Sequence, residues 1–220
     1  MVLDGEIFRR ENNNQRMRLS QNLEEDYILD YFKDQETGTF IDIGANDGVT
    51  LSNTRALALK GFCGCLVEPA PLAYAKLKQL YSKEKKGCFY TYNCAIGDHN
   101  GKGTLFDSGT LLKTGDTSLV STLVAEEKKR FESVISYTPV EVDVFKWKTF
   151  LNRLTIKKFD FVSIDAEGFD LAILEQMDLT DVKLLCIEFN GHDMLRQRYS
   201  YIMKDFKIIY TSAENLLFAR

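Results

Sequence analysis

The stretch from Phe40 to Thr54 constrains the fold more than any other part of the chain. Phe40-Ile41-Asp42-Ile43 is a short β-branched and aromatic run, the composition of a buried strand. Gly44 and Gly48, four residues apart, break it, and a helix is predicted through Ala56, Leu57 and Leu59 to a C-terminal Gly61. Strand, tight glycine turn and helix form the first unit of a doubly wound α/β sheet, whose ligands bind where the strands end. Val67-Glu68-Pro69 closes the next strand with an acid, roughly 20 residues past the turn, where a carboxylate grips a ribose diol.

Charge then separates the candidate nucleotides. A pyrophosphate needs a helix N-terminus with bare N–H groups and no carboxylate close by. This turn carries Asp42 at its entrance and Asp47 inside it, and it lacks the spacing G-x-G-x-x-G. Such acids repel phosphates and suit an ammonium or sulfonium group, so S-adenosylmethionine, its adenosine held by Glu68, is the expected ligand. Helix capping and solubility explain either aspartate alone; they do not explain acid, glycine pair and downstream acid together.

The same residues carry a resemblance. Phe40–Asn53, Leu66-Val67-Glu68-Pro69 and Asp160–Asp170 resemble the FkbM family of S-adenosylmethionine-dependent methyltransferases. The similarity runs from about Ser20 to the C-terminus, and its signatures, D-I-G-A-N-x-G and I-D-x-E-G, are specific in combination and weaker alone. It implies an α/β, class I methyltransferase fold: a Rossmann-like doubly wound sheet of about seven strands, the last antiparallel in a C-terminal hairpin. It also implies cofactor contacts from the glycine turn, at Asp42, Gly44, Ala45, Asn46 and Gly48, and from Ser52 and Asn53 beyond it. Glu68 and Pro69 follow from the second strand and Asp165 from the fourth.

Bulk properties bound the partners. A chain of 220 residues is read as one domain (20–220) behind a polar arm (1–19). Its net charge of −4 argues against nucleic acid, which calls for a basic stripe, and favours a small or glycan acceptor. The five cysteines are an odd number without a C-x-x-C pair, and most fall in predicted strands, so buried free thiols in a reducing compartment are expected. With no signal peptide or long apolar run, the chain is expected to be soluble and cytoplasmic, a monomer or homodimer.

Along the chain, Ser20 reads as the N-cap of a helix through Leu23, Tyr27, Ile28, Tyr31 and Phe32 that packs on the sheet edge. Ser20, Gln21, Glu25 and Asp26 also resemble a family segment, which implies a helix lying over the cofactor pocket; packing is the favoured reading. Pro71 opens a helix through Leu72, Leu77 and Leu80. Phe89–Ile96 reads as the third strand, with Asn93, Ala95 and Ile96 near the adenine, and Asp98-His99-Asn100-Gly101 as a turn joining it in a hairpin to Gly103–Phe106. Residues 107–137 are a hydroxyl-rich stretch too long for a plain connection, a lid or acceptor loop in which Ser118 and Ser121 are as well suited to solvent as to substrate. The run Ala125–Glu132 reads as an exposed helix.

The fourth core strand, Phe159–Ile164, runs into Asp165-Ala166-Glu167-Gly168, and the fifth, Leu184–Phe189, ends at Glu188, Asn190 and His192. Acids crowded past a buried strand are costly unless something cationic or hydrogen-bonding uses them, and a helix-capping role fits Asp170 better than Asp165. Methyl transfer to an alcohol needs in-line positioning and a proton acceptor, for which the candidates are Asp165, Glu167 and His192. The loop lacks the D/N-P-P-Y of methylases acting on base amines, which favours oxygen, and the resemblance implies a sugar or another hydroxylated small molecule. Asp165, Glu188 and Asn190 also suit Mg²⁺ in kind, though a metal is not the favoured reading. The competing classes are an NAD-binding oxidoreductase, disfavoured by the turn acids, and a catalytically silent Rossmann-like binding domain, disfavoured by the intact set Asp42, Glu68, Asp165 and Glu167.

Overall fold

The apolar runs separated by glycine turns become strands laid side by side. The computed structural model describes residues 18–110 and 118–220. It opens with α1 (Glu24–Tyr31), β1 (Thr39–Ile43), α2 (Arg55–Lys60), β2 (Cys63–Val67), α3 (Pro71–Tyr81) and β3 (Phe89–Tyr92). The middle holds β4 (Ala95–Ile96), β5 (Gly101–Asp107), β6 (Thr138–Phe145) and α4 (Trp147–Arg153). The last part is β7 (Phe161–Ile164), α5 (Asp170–Leu174), β8 (Leu184–Glu188), α6 (Asp193–Ile202), β9 (Lys207–Thr211) and β10 (Asn215–Ala219).

Seven of these strands form one sheet in the order β3-β2-β1-β7-β8-β10-β9. β10 lies antiparallel between β8 and β9, and the strands from β3 to β8 are parallel. Helices cover both faces, so the inner strands are buried along nearly their whole length rather than at alternate positions, with Asp42 and Ser163 as polar exceptions near the carboxyl ends of β1 and β7. Ile41, Ile43, Val162 and Ile187 pack on one side with Trp147, Phe150 and Tyr199. Phe40, Leu66 and Phe161 pack on the other with Ile28, Phe32, Leu57 and Leu77. Each such side chain removed from water contributes roughly 1.5–3 kcal/mol. The chain reversal in β10 is set by Ser212, whose Oγ accepts from the Asn215 amide at 2.9 Å.

Four expectations are corrected. Phe89–Ile96 is not one strand: the chain leaves the large sheet at Asn93, whose Nδ2 donates to the carbonyls of Glu68 (2.9 Å) and Pro69 (3.0 Å). Nor does the third strand form a hairpin with Gly103–Phe106. A second sheet, β4-β6-β5, inserts β6 between them, because Val142 and Val144 bury Ala95 and Leu105 against Ala70 and Ala73 of α3. Ser20 is not the residue directly before α1, which starts at Glu24 behind Leu23, yet its Oγ accepts the first-turn amide of Glu25 at 3.0 Å from within a preceding turn, which the buried carboxylates of Glu24 and Glu25 fold by taking the amides of Asn22 and Leu19. The run 125–132 yields only a 3₁₀ turn, Glu127–Arg130.

The expected arm lies outside the described residues except for Arg18 and Leu19, as do residues 111–117 of the expected acceptor loop. Among the described residues no helix is long and apolar enough to cross a membrane.

Candidate active site

A cavity of about 330 Å³ opens at the carboxyl ends of β1, β2, β7 and β8. Its floor is two turns locked together. The Asp165 amide donates to the Ile43 carbonyl at 2.9 Å, and the amides of Gly44 and Ala45 donate to Val67 O at 3.0 Å. Gly44 has φ +87°, and a Cβ placed there would lie 1.7 Å from the Asp165 carbonyl oxygen. Only glycine lets the two turns touch.

Acids line this floor. Asp42 accepts from the Thr54 hydroxyl at 2.6 Å. Burial pushes its carboxyl up to about 6 against the hydrogen bonds of Thr54 and Ser163. Glu68 is aimed by two backbone donors, the amides of Asn46 (2.9 Å) and Ala70 (2.7 Å). Burial pushes it up to about 8 despite those donors, with the charges of Asp107 and Asp42 adding to the rise. A carboxylate held so, with acceptor capacity left over, is suited to a diol.

Across the cavity the carboxylates of Asp165, Glu167 and Glu188 offer oxygens that all lie within 4.8 Å of one another. Burial, then the charges of Asp170 and Asp42, push Asp165 up to about 7, and Arg130 opposes the rise. Glu167 is held well above the usual range by burial and the charge of Asp165, and Glu188 by burial and the charges of Asp165 and Glu167. The nearby cation, Arg130, is 3.9 Å from Glu167 and 3.2 Å from Glu127. Such crowding is relieved by protons or by a positively charged guest. Asp170, expected to cap the following helix, is instead the first residue of α5, and its carboxylate accepts from the loop ahead of it, at the amides of Ala166 (2.9 Å) and Gly168 (3.0 Å).

Strain gathers here as well. Among the described residues, the non-glycine positions with positive φ are Asn46, Leu51, Ser118, Glu167 and Asn190, and all five line the cavity. Such conformations cost about 1–3 kcal/mol each and concentrate at functional sites.

The methyltransferase FkbM domain matches residues 42–207, about three quarters of the chain and the whole cavity floor. The chain belongs to the FkbM methyltransferase family. No curated protein matches it. Among solved structures, precorrin-6y C5,15-methyltransferase from Geobacter metallireducens GS-15 is 10% identical with a TM-score of 0.44, covering 93% of this chain and 91% of its own. Ribosomal protein L11 methylase from Lactobacillus delbrueckii subsp. bulgaricus is 9% identical with a TM-score of 0.46, covering 90% and 73%. Neither likeness bears on what is methylated.

An FkbM methyltransferase draws its methyl group from S-adenosylmethionine, and the residues present fit that group. The buried Asn53 Oδ1 is without a hydrogen-bond partner beside the glycine turn, as an acceptor awaiting an ammonium or hydroxyl donor would be. Ala95, Ile96 and Leu105 give an apolar wall beyond Glu68, and the acids complement positive charge. In this FkbM chain Gly44, Ala45, Asn46, Ser52, Pro69 and Glu167 also line the cavity.

Three expected site residues are placed elsewhere. Gly48 is not on the wall; a Cβ there would meet Leu77 and Tyr81 at 2.7 Å, so it is small to let α3 pack. Asn93 is spent on the Glu68 and Pro69 carbonyls and turns away. His192 sits at the N-cap of α6 and borders an adjoining recess with Arg130 and Asp170. Asp47, read as a ligand-selecting acid, instead accepts from the Val49 and Thr50 amides and the Thr50 hydroxyl.

Sequence reasoning missed Arg130, Phe131, Leu119 and Glu214, which line the cavity. Nothing in the run 125–132 distinguishes Arg130 from its basic neighbours. Gln21 reaches the cavity from the turn ahead of α1, where the family-like segment pointed, while α1 itself packs on α2 and β9. In kind the three carboxylates would also suit a hard cation; Asp165 and Glu188 belong to the expected set, Glu167 adds a third acid, and Asn190 lines the same cavity.

Proposed function

We propose that this methyltransferase acts on a hydroxyl of a sugar or related small molecule, with Asp165 or Glu167 accepting the hydroxyl proton. The observation that supports this reading most is Asp165. Its carboxyl stands at the end of β7, beside the glycine turn, and is held at about 7 by burial and by Asp170, so it exchanges a proton at neutral pH. When bound, the donor supplies an electrophilic sulfonium methyl, which leaves the protein to position the acceptor and remove one proton.

The rest of the wall suits a polyol. Leu119, Val120 and Leu123 offer apolar contact for a sugar's C–H face. Ser118 and Ser121 donate their own hydroxyl protons to Asp107, at 2.7 and 3.1 Å, so toward the cavity their oxygens act as acceptors. Asn190 adds an amide and Arg130 a cation at the rim. The net charge of −4 disfavours a nucleic-acid partner, and we take the chain to act in the cytoplasm as a monomer or homodimer.

Incubation with deuteromethyl S-adenosylmethionine and a panel of mono- and oligosaccharides, read by mass spectrometry, tests the proposal. A labelled O-methyl sugar made by wild type and lost in Asp165→Asn with Glu167→Gln supports it. Label found only on amines, or binding of NADH but not S-adenosylhomocysteine by calorimetry, overturns it. Repeating the assay with a chelator tests the carboxylate cluster: loss of turnover restored by Mg²⁺ would assign the three acids to a metal instead of a proton.

A further inference from the structure

Two of the five cysteines differ from the others. Cys65, Cys94 and Cys186 are buried, and burial pushes the first two up to about 12 and the third well above the usual thiol range, so they are poor nucleophiles. Cys63 is half-buried, and its thiol is raised as well, by burial first and then by Cys88, whereas Cys88 is exposed and so is the one placed to react first with a partner in solution. They face each other where β2 and β3 begin, at the end of the sheet opposite the cavity.

Register puts them there. Gly64 is paired with Phe89 across the parallel strands, so the preceding residues, Cys63 and Cys88, are neighbours one step earlier. The Gly64 amide donates to Cys88 O at 2.8 Å, and the Cys88 amide donates to Cys63 Sγ at 3.1 Å. The two thiols also sense each other electrostatically, Cys88 adding to the rise of the Cys63 thiol. Adjacent strands run about 4.8 Å apart, inside the span of roughly 4.4–6.8 Å that a disulfide bridges.

We infer that Cys63 and Cys88 form a reversible intramolecular disulfide, closed by small-molecule disulfides of the glutathione type. In the first step the exposed Cys88 thiolate attacks glutathione disulfide, forming a mixed disulfide and releasing one glutathione thiolate. In the second the Cys63 thiolate attacks the Cys88 sulfur and expels the second glutathione. Two protein thiols thus lose two protons and two electrons, and one glutathione disulfide becomes two glutathiones. The ring so closed spans residues 63 to 88, which include Glu68 and all of α3, and it fixes the edge strand β3 to its neighbour. The sheet edge is where strand pairing opens most readily, so the bond acts on the least protected ladder.

The test is the native protein with glutathione disulfide, followed by intact-mass measurement and peptide mapping without reductant. The expected product is lighter by about 2 Da and yields a Cys63–Cys88 cross-linked peptide, with Cys65, Cys94 and Cys186 still free. Cys63→Ser should stop at a Cys88 mixed disulfide, heavier by about 305 Da. Cys88→Ser should remove the cross-link. The oxidised native protein should melt about 5 °C or more above the reduced form, and dithiothreitol should reverse the shift. A native chain that stops at the mixed disulfide, links to a second chain, or leaves both thiols unreacted would overturn the inference, and none of these readouts depends on methyl transfer.

Discussion

Asp160 and Asp165 stand at the two ends of one short strand and have opposite fates. Asp160, entering β7, accepts from the Thr39 amide at 2.8 Å and pairs with Lys183 at 2.7 Å. Burial by itself would raise its carboxyl, but Lys183 and Thr39 outweigh it and hold the group below the usual value. Asp165, leaving β7, has carboxylates around it and is held at about 7. The acid at the amino end is satisfied by the fold, whereas the acid at the carboxyl end is left for something the fold does not supply. Residue type alone does not separate a structural acid from a working one; the inventory of donors around it does.

The contrast can be broken or sharpened by experiment. The largest effect expected is from Asp165→Asn: single-turnover methyl transfer should fall by about 10²–10⁴-fold with the melting temperature unchanged or raised. Full activity in that variant would remove Asp165 from the chemistry. Gly44→Ala drives a methyl into the Asp165 carbonyl at positive φ, with backbone and no flexible side chain to yield. It should cost about 3 kcal/mol in urea unfolding and abolish S-adenosylhomocysteine binding. Asp160→Ala should cost about 1–2 kcal/mol in the same unfolding assay and leave the methyl-transfer rate constant unchanged. A larger kinetic than stability effect there would erase the distinction between the two ends.

The pH dependences have opposite signs. Asp160 is held below its usual value, so its contribution is present at neutral pH and is lost as pH falls. Asp42, Asp165 and Glu68 are raised to about 6, 7 and 8. Their contribution is therefore present below the usual carboxyl range and is lost as pH rises through those values. The ligand-free protein should thus melt lower at pH 8.5 than at pH 6, roughly, and Glu68→Gln should flatten that fall. The smallest effect is a fraction of a proton: near neutral pH, binding of the sulfonium donor should release more protons than binding of neutral S-adenosylhomocysteine. Calorimetry in buffers of different ionisation enthalpy reads the difference, and equal release would deny the acids a role in sensing charge.

The glycine turn, the helix after it and the C-terminal hairpin were legible in the sequence because each is set by neighbours in the chain. Gly44, Gly61 and the turn at Ser212 announce themselves locally. The second sheet was not legible. Ala95-Ile96 carries the same apolar signal whether it extends β3 or pairs with Val144-Phe145, and only the distant edge offered by β6 decides. The site was readable where an acid ends a strand, as at Glu68 and Asp165. It was unreadable where a long-range contact places a residue, as with Arg130 beside Glu167. Asp47 and Gly48 show the converse error, since motif membership suggested ligand contact where a turn cap and a packing gap suffice.

The two-residue strand β4 has an effect out of proportion to its length. Ala95 and Ile96 form part of the apolar wall beyond Glu68, yet their hydrogen-bonded partner is β6, whose other neighbour, β5, ends at the Asp107 that accepts the Ser118 and Ser121 hydroxyls. One short ladder therefore joins the wall beyond Glu68 to the hydroxyl cluster around Asp107. Loading of donor and acceptor should accordingly be ordered, and product-inhibition patterns that fit a random order would separate the two walls.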